Sequence, residues 1–157
     1  MHFIHLLISI LYFCIFLSSN ISKANDLTRQ KPIEKIILLK GKVGEMHYFE
    51  PNEIVFNTGK LYKLVIKNVS DSNHYFSSGS FSKSIFTRKI QILNKTIKIA
   101  EIKGIINEVE IWPGQYLEWW FVPIKTGLFS DLYCRVKDLD TKLSHYKMGM
   151  TGTIIIK

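Results

Sequence analysis

The chain is short of cysteine: Cys14 and Cys134 are the only two in 157 residues. A scaffold stapled by several disulfides is therefore excluded. There is no internal repeat and no low-complexity block, so neither a solenoid nor a disordered array fits the sequence. Acidic residues are also scarce, 13 against 21 lysines and arginines, for a net charge of +8. The basic residues are scattered and match no nucleic-acid-binding motif, which excludes that class of partner. No serine lies in a nucleophile elbow, and Glu108 and Glu110 share a strand face with no opposing carboxylate, so they read as a solvated face. The expectation is a non-enzymatic protein.

Residues 3 to 18 (FIHLLISILYFCIFLS) are almost wholly apolar, and Ser22-Lys23-Ala24 places small residues where signal peptidase acts. This segment reads as a secretory signal removed after Ala24, with an uncleaved membrane anchor as the alternative; cleavage makes the protein exported and periplasmic and limits its membrane contact to transit. Cys14 leaves with it. Removal of residues 1–24 takes away one lysine and no acid, so the remaining chain carries +7. Such a field favours encounter with acidic partners. Residues 25–33 (NDLTRQKPI) are polar and read as a flexible lead-in to one domain over 34–157.

That domain is written in short apolar runs separated by turn residues. Alternation is clear in Leu61-Tyr-Lys-Leu-Val-Ile-Lys-Asn68 and in Asn107-Glu-Val-Glu-Ile-Trp112, as strands with one buried face require. Further strands are expected at 35–39, 46–49, 53–57, 74–77, 97–102, 116–122, 129–135 and 151–156. Turn chemistry at Pro51-Asn52, Thr58-Gly59, Pro113-Gly114 and Thr126-Gly127 separates them. Many short, evenly spaced strands indicate an all-β sandwich or barrel. Residues 79–92 (GSFSKSIFTRKIQI) break the rhythm and read as a short helix or an irregular excursion. Alternation sends Trp119 and Trp120 to opposite faces. Asn68-Val-Ser70 and Asn94-Lys-Thr96 match the glycosylation sequon, a pattern common by chance.

Chemistry concentrates near the C-terminus. Cys134 is followed, across Arg135 to Ser144, by His145-Tyr-Lys-Met-Gly-Met150-Thr-Gly152, and Asn73-His74-Tyr-Phe76 offers a second imidazole from upstream. Two histidines, a cysteine and a weakly bound methionine form the ligand set of a mononuclear copper electron-transfer site, because soft sulfur suits Cu(I) and imidazole suits both oxidation states.

With these elements in order, from Phe49-Glu-Pro51-Asn-Glu-Ile54 through Gly59, Asn68, His74, Ile111-Trp-Pro-Gly114, Gly127-Leu-Phe129 and Cys134 to Gly149-Met150-Thr-Gly152, residues 34–157 resemble a cupredoxin. The ending is similar to the His-x-x-x-Gly-Met of bacterial blue copper proteins. The resemblance implies a Greek-key β-sandwich binding one copper ion through His74, Cys134, His145 and Met150. Met150 is favoured over Met148 by its flanking glycines. His47 matches no ligand position of the family and reads as structural, the substitute should His145 not reach. The family also implies an exposed edge of His145 as the electron port, and redox proteins such as cytochromes or oxidases as partners. One departure stands out: the family places only a few residues between the cysteine and the second histidine. A longer loop costs only about 0.6 kcal/mol per doubling in closure entropy. A binuclear centre would need a second cysteine. Delivery or storage of Cu(I), using Met46, His47, Met148 and Met150, and a metal-free accessory domain are the alternative functions.

Overall fold

The computed structural model describes residues 30–157; the expected signal segment and most of the lead-in lie outside them. The alternation seen in the sequence becomes eleven strands among the described residues, in two packed sheets. They are β1 (Ile33–Gly41), β2 (His47–Glu50), β3 (Glu53–Phe56), β4 (Tyr62–Asn68), β5 (His74–Ser77), β6 (Ile85–Asn94), β7 (Ile97–Ile102), β8 (Glu108–Ile111), β9 (Tyr116–Pro123), β10 (Gly127–Tyr133) and β11 (Thr151–Ile156). The six-stranded sheet runs β2-β1-β4-β9-β6-β7 and the five-stranded sheet β3-β11-β10-β5-β8. Consecutive strands change sheet at every connection from β2 to β10 except β6/β7, which makes this a β-sandwich of the kind expected. Gln30, in the polar lead-in, is tied down: its side-chain amide donates to the Gly59 carbonyl and accepts from the Leu61 N–H.

Period-two alternation gives each sheet one inward face. In β4 the residues Tyr62, Leu64, Ile66 and Asn68 are buried while Lys63, Val65 and Lys67 are less so. Trp119 on β9 is buried and Trp120 points the other way, lying under the Lys63 and Lys89 ammonium groups. The inner faces meet in an aromatic core of Phe56, Tyr62, Phe76, Phe81, Trp119 and Phe121, whose rings contact one another mostly edge to face. That geometry matches the positive edge of one ring to the negative face of the next.

The segment 79–92 departs from the expectation in an instructive way. Its first part is the single-turn helix α1 (Gly79–Ser82), which drives the fully buried Phe81 between the sheets. Its second part is the ten-residue strand β6, where an irregular excursion was the other possibility. The pairing of β6 with β9 shifts register between Thr87 and Lys89. The extra residue of such a bulge reverses the inside-outside alternation, so no single period runs through Ile85 to Ile92. The Asn68 side chain of the sequon match is fully buried and donates to the Ser72 and Ile111 carbonyls, leaving no room for a glycan.

Because Phe81 is the one core aromatic supplied by α1, its truncation tests whether this turn is part of the core. Phe81→Ala is expected to cost about 3–5 kcal/mol, the usual penalty for emptying a buried aromatic site, measured by urea unfolding of both proteins.

Candidate metal centre

Strand ends deliver the reactive side chains to one end of the sandwich. His74 opens β5, Cys134 follows β10, Met150 precedes β11, and all are fully buried. His145 reaches the same place from the long loop. That loop is an antiparallel hairpin and not a slack connection: the Cys134 carbonyl accepts from Tyr146 N–H, the Val136 carbonyl from His145 N–H, Lys137 bridges Ser144, and Asp138 N–H donates to the Leu143 carbonyl. The ladder returns His145 beside Cys134. Met150 is held by its own backbone, donating to the His145 carbonyl at 2.9 Å and accepting from Cys134 N–H at 3.2 Å.

The donor atoms converge. His74 Nδ1 lies 3.0 Å from His145 Nδ1, and Cys134 Sγ lies 3.7 and 3.6 Å from those two nitrogens. A first-row metal ion with bonds of about 2.0 Å to nitrogen and 2.3 Å to sulfur, opened to between about 95° and 120°, gives N–N spacings of about 3.0–3.5 Å and N–S spacings of about 3.2–3.7 Å. The triangle therefore fits one ion with no rearrangement of its corners. Three of the four expected residues thus supply converging donor atoms, while Met150 is buried beside them and tethered to two of them.

Neighbouring groups set which lone pairs face the centre. Ser70 Oγ sits 2.7 Å from His74 Nε2, and also within hydrogen-bond reach of Asn68 Oδ1 and the Ser72 carbonyl, two groups that only accept. With its single proton on one of those oxygens, Ser70 Oγ accepts from His74 Nε2–H, the tautomer that turns the Nδ1 lone pair inward as a ligand requires. The Tyr75 N–H donates to Cys134 Sγ at 3.2 Å, a bond that favours sulfur bearing negative charge. Burial pushes the Cys134 thiol up, partly offset by that bond. Burial and the neighbouring imidazoles lower His74 to about 3 and His145 to about 4. Both rings are therefore neutral at pH 7, the state a ligand requires.

His47, expected to be structural, lies inside the same cluster. It opens β2 and is buried, its ring stacked on His145 with centroids 3.7 Å apart and edge-on to His74 at 5.3 Å. One nitrogen from each of the three histidines lies within 4.8 Å of the others. His145 itself is wholly buried, so the exposed ring edge anticipated as an electron port is absent, and the His47 ring lies over one face of it. The buried Asp138 belongs to the same arrangement. Its carboxylate accepts from the N–H groups of Thr141, Gly44 and Asp140 and lies 3.3 Å from His47 Nε2, and these N–H donors hold it well below the usual carboxylate range. His47 Nδ1 and His145 Nε2 have no hydrogen-bond partner.

Ser70 and Asp138 escaped the sequence reading. The spacing Ser70-x-x-x-His74 carried a usable hint, because a hydroxyl four residues before a candidate ligand can fix its tautomer. Nothing in the sequence places Asp138 on His47, 91 residues away.

The sequence matches no protein-family model and no curated protein. The fold, in contrast, superposes on solved copper proteins. These include a laccase from Pediococcus acidilactici Pa5930 (TM-score 0.56, 12% identity, covering 82% of this chain and 27% of that one). A copper-containing nitrite reductase from Thermus scotoductus SA-01 gives 0.54 at 13% identity, covering 82% and 32%. A blue copper oxidase from Nitrosomonas europaea gives 0.52 at 17%, covering 78% and 43%. The chain thus spans less than half the length of these structures, and the likeness establishes a cupredoxin fold.

Two outcomes follow from this geometry. Between pH 6.5 and about 3 the metal-free native state takes up fewer protons on His74 and His145 than the unfolded chain does, so stability falls as pH falls through that window and is full above it; urea midpoints of apoprotein from pH 8 to pH 4 should decline. Ser70→Ala frees the His74 ring and is expected to weaken metal affinity about 10–100-fold, as loss of such outer hydrogen bonds does, read by competition titration with a chelator.

Proposed function

We propose that this chain is an exported copper protein that binds one ion through His74 Nδ1, His145 Nδ1 and Cys134 Sγ, with Met150 as a weak fourth ligand, and passes single electrons. The observation that carries this reading is the triangle of two neutral imidazole nitrogens and one thiol sulfur, spaced for one first-row ion and fully buried. Two of the solved structures that share the fold are named as copper proteins, which supports copper as the ion.

Copper in such a set supplies a one-electron couple, because thiolate, imidazole and a distant thioether suit both oxidation states. The rest falls to the chain. The hairpin Arg135–Ser144 and the strand ends fix the donors so that little moves between states. The Tyr75 N–H stabilises charge on the Cys134 sulfur, and burial of the cluster limits water, so together they set the potential. Among the described residues, a surface hollow of about 420 Å³ is lined by Ser130, Asp131, Tyr133, Arg135, Ser144 and Tyr146, none of them a donor of the triangle. This favours electron carriage over turnover. The basic chain suits redox partners with acidic surfaces.

A second reading, delivery of Cu(I), draws on Met46, which is 63% exposed beside the metal end, with its sulfur facing Gly149. The two readings separate on one sample. Adding Cu(II) to residues 25–157 should give an intense visible thiolate-to-copper absorption, lost in Cys134→Ser, with reversible one-electron reduction. A colourless protein that binds Cu(I) and transfers it to an acceptor would overturn electron carriage in favour of delivery.

A further inference from the structure

His47 and Asp138 form a unit for which the four expected ligands leave no role. The His47 ring is nearly parallel to His145, 22° apart with centroids at 3.7 Å. An ion bound at His145 Nδ1 lies in the plane of that ring. Two stacked planes so slightly inclined meet several times further away than a metal–nitrogen bond of about 2 Å can reach. His47 therefore cannot aim an in-plane lone pair at the same ion while it stacks. Its position is instead fixed from behind. Asp138 Oδ2 lies 3.3 Å from Nε2, and Gly41, paired with His47 across β1 and β2, has φ +141° and leaves room where a Cβ would come within 2.3 Å of Nδ1. Asp138 in turn is oriented by Gly44 on one oxygen and by Asp140 and Thr141 on the other. A residue of the long loop after Cys134 thus clamps an imidazole over the second ligand.

We propose that His47, clamped by Asp138, is a cap that closes the His145 side of the copper pocket and is not itself a ligand; this rests on the copper reading above. The cap excludes water and small anions from the ion and so separates electron carriage from small-molecule chemistry at the metal. It also denies partners the face of the His145 ring on which it stacks. His47 is in this sense a positioning residue, acting through His145.

The test compares wild type, His47→Ala and His47→Phe, the last keeping a ring of similar shape without any ligand nitrogen. Azide is added to each Cu(II) protein, with visible and electron paramagnetic resonance spectra recorded. Azide should leave wild type and His47→Phe unchanged and alter the spectra of His47→Ala, with two imidazole nitrogens coupled to copper in all three. Loss of a coupled imidazole in His47→Phe would make His47 a ligand and overturn the proposal, as would azide binding to wild type or none to His47→Ala. A metal-free arm separates this proposal from the copper reading: exchange of the His145 ring C2–H with deuterium, read by mass spectrometry and corrected for each variant's own His145 titration, should be faster in apo His47→Ala than in apo wild type. Equal rates would overturn the cap whether or not the chain binds copper, whereas faster exchange in a chain that binds no copper would sink the copper reading alone.

Discussion

Two imidazole nitrogens and a sulfur, all uncharged, are held within 3.7 Å of one another in a place water does not reach. Bringing such groups together without a cation between them is unfavourable, since buried polar atoms lose their water and gain few partners. The depressed basicity of His74 and His145 and the orphaned nitrogens of His47 and His145 express that cost. The rest of the structure holds the arrangement in place. Four of the residues at this end sit at or beside strand termini, and the fifth is returned by a hairpin, so the sandwich core fixes positions that the local chemistry would not choose.

Support is layered around that centre. Asn68 anchors Ser70, Ser70 orients His74, and Tyr75, next along β5, donates to the sulfur. On the other side the hairpin after Cys134 performs two tasks through one ladder: it places His145 and presents Asp138 to His47. Length that looked like a burden on closing the site is ordered backbone with its own hydrogen bonds, so the entropy of a floppy loop is not the relevant cost.

The legible part of the sequence was the part governed by local periodicity. Alternation in residues 61–68 and 107–112 and turn residues such as Pro113-Gly114 locate β4, β8 and the bend after β8 closely. His74, Cys134 and His145 were readable because resemblance supplied their order along the chain, and the structure brings their donor atoms together. What escaped depends on pairing across the fold. A bulge between Thr87 and Lys89 erased the period of β6. The place of His47 in the cluster was not legible, because it depends on the Gly41–His47 register and on Asp138, neither of which has a sequence signature. The expected exposure of His145 failed for the same reason: the residue whose ring lies over one face of it is 98 positions earlier in the chain.

X-ray absorption on the copper-loaded protein at one equivalent tests the central claim most directly, because it counts the atoms bound to the ion without reference to activity. The account predicts two imidazole nitrogens near about 2.0 Å and one sulfur near about 2.3 Å, by analogy with bonds of first-row ions. A copper site with no short sulfur scatterer, or with three imidazoles in place of the thiolate, would contradict it.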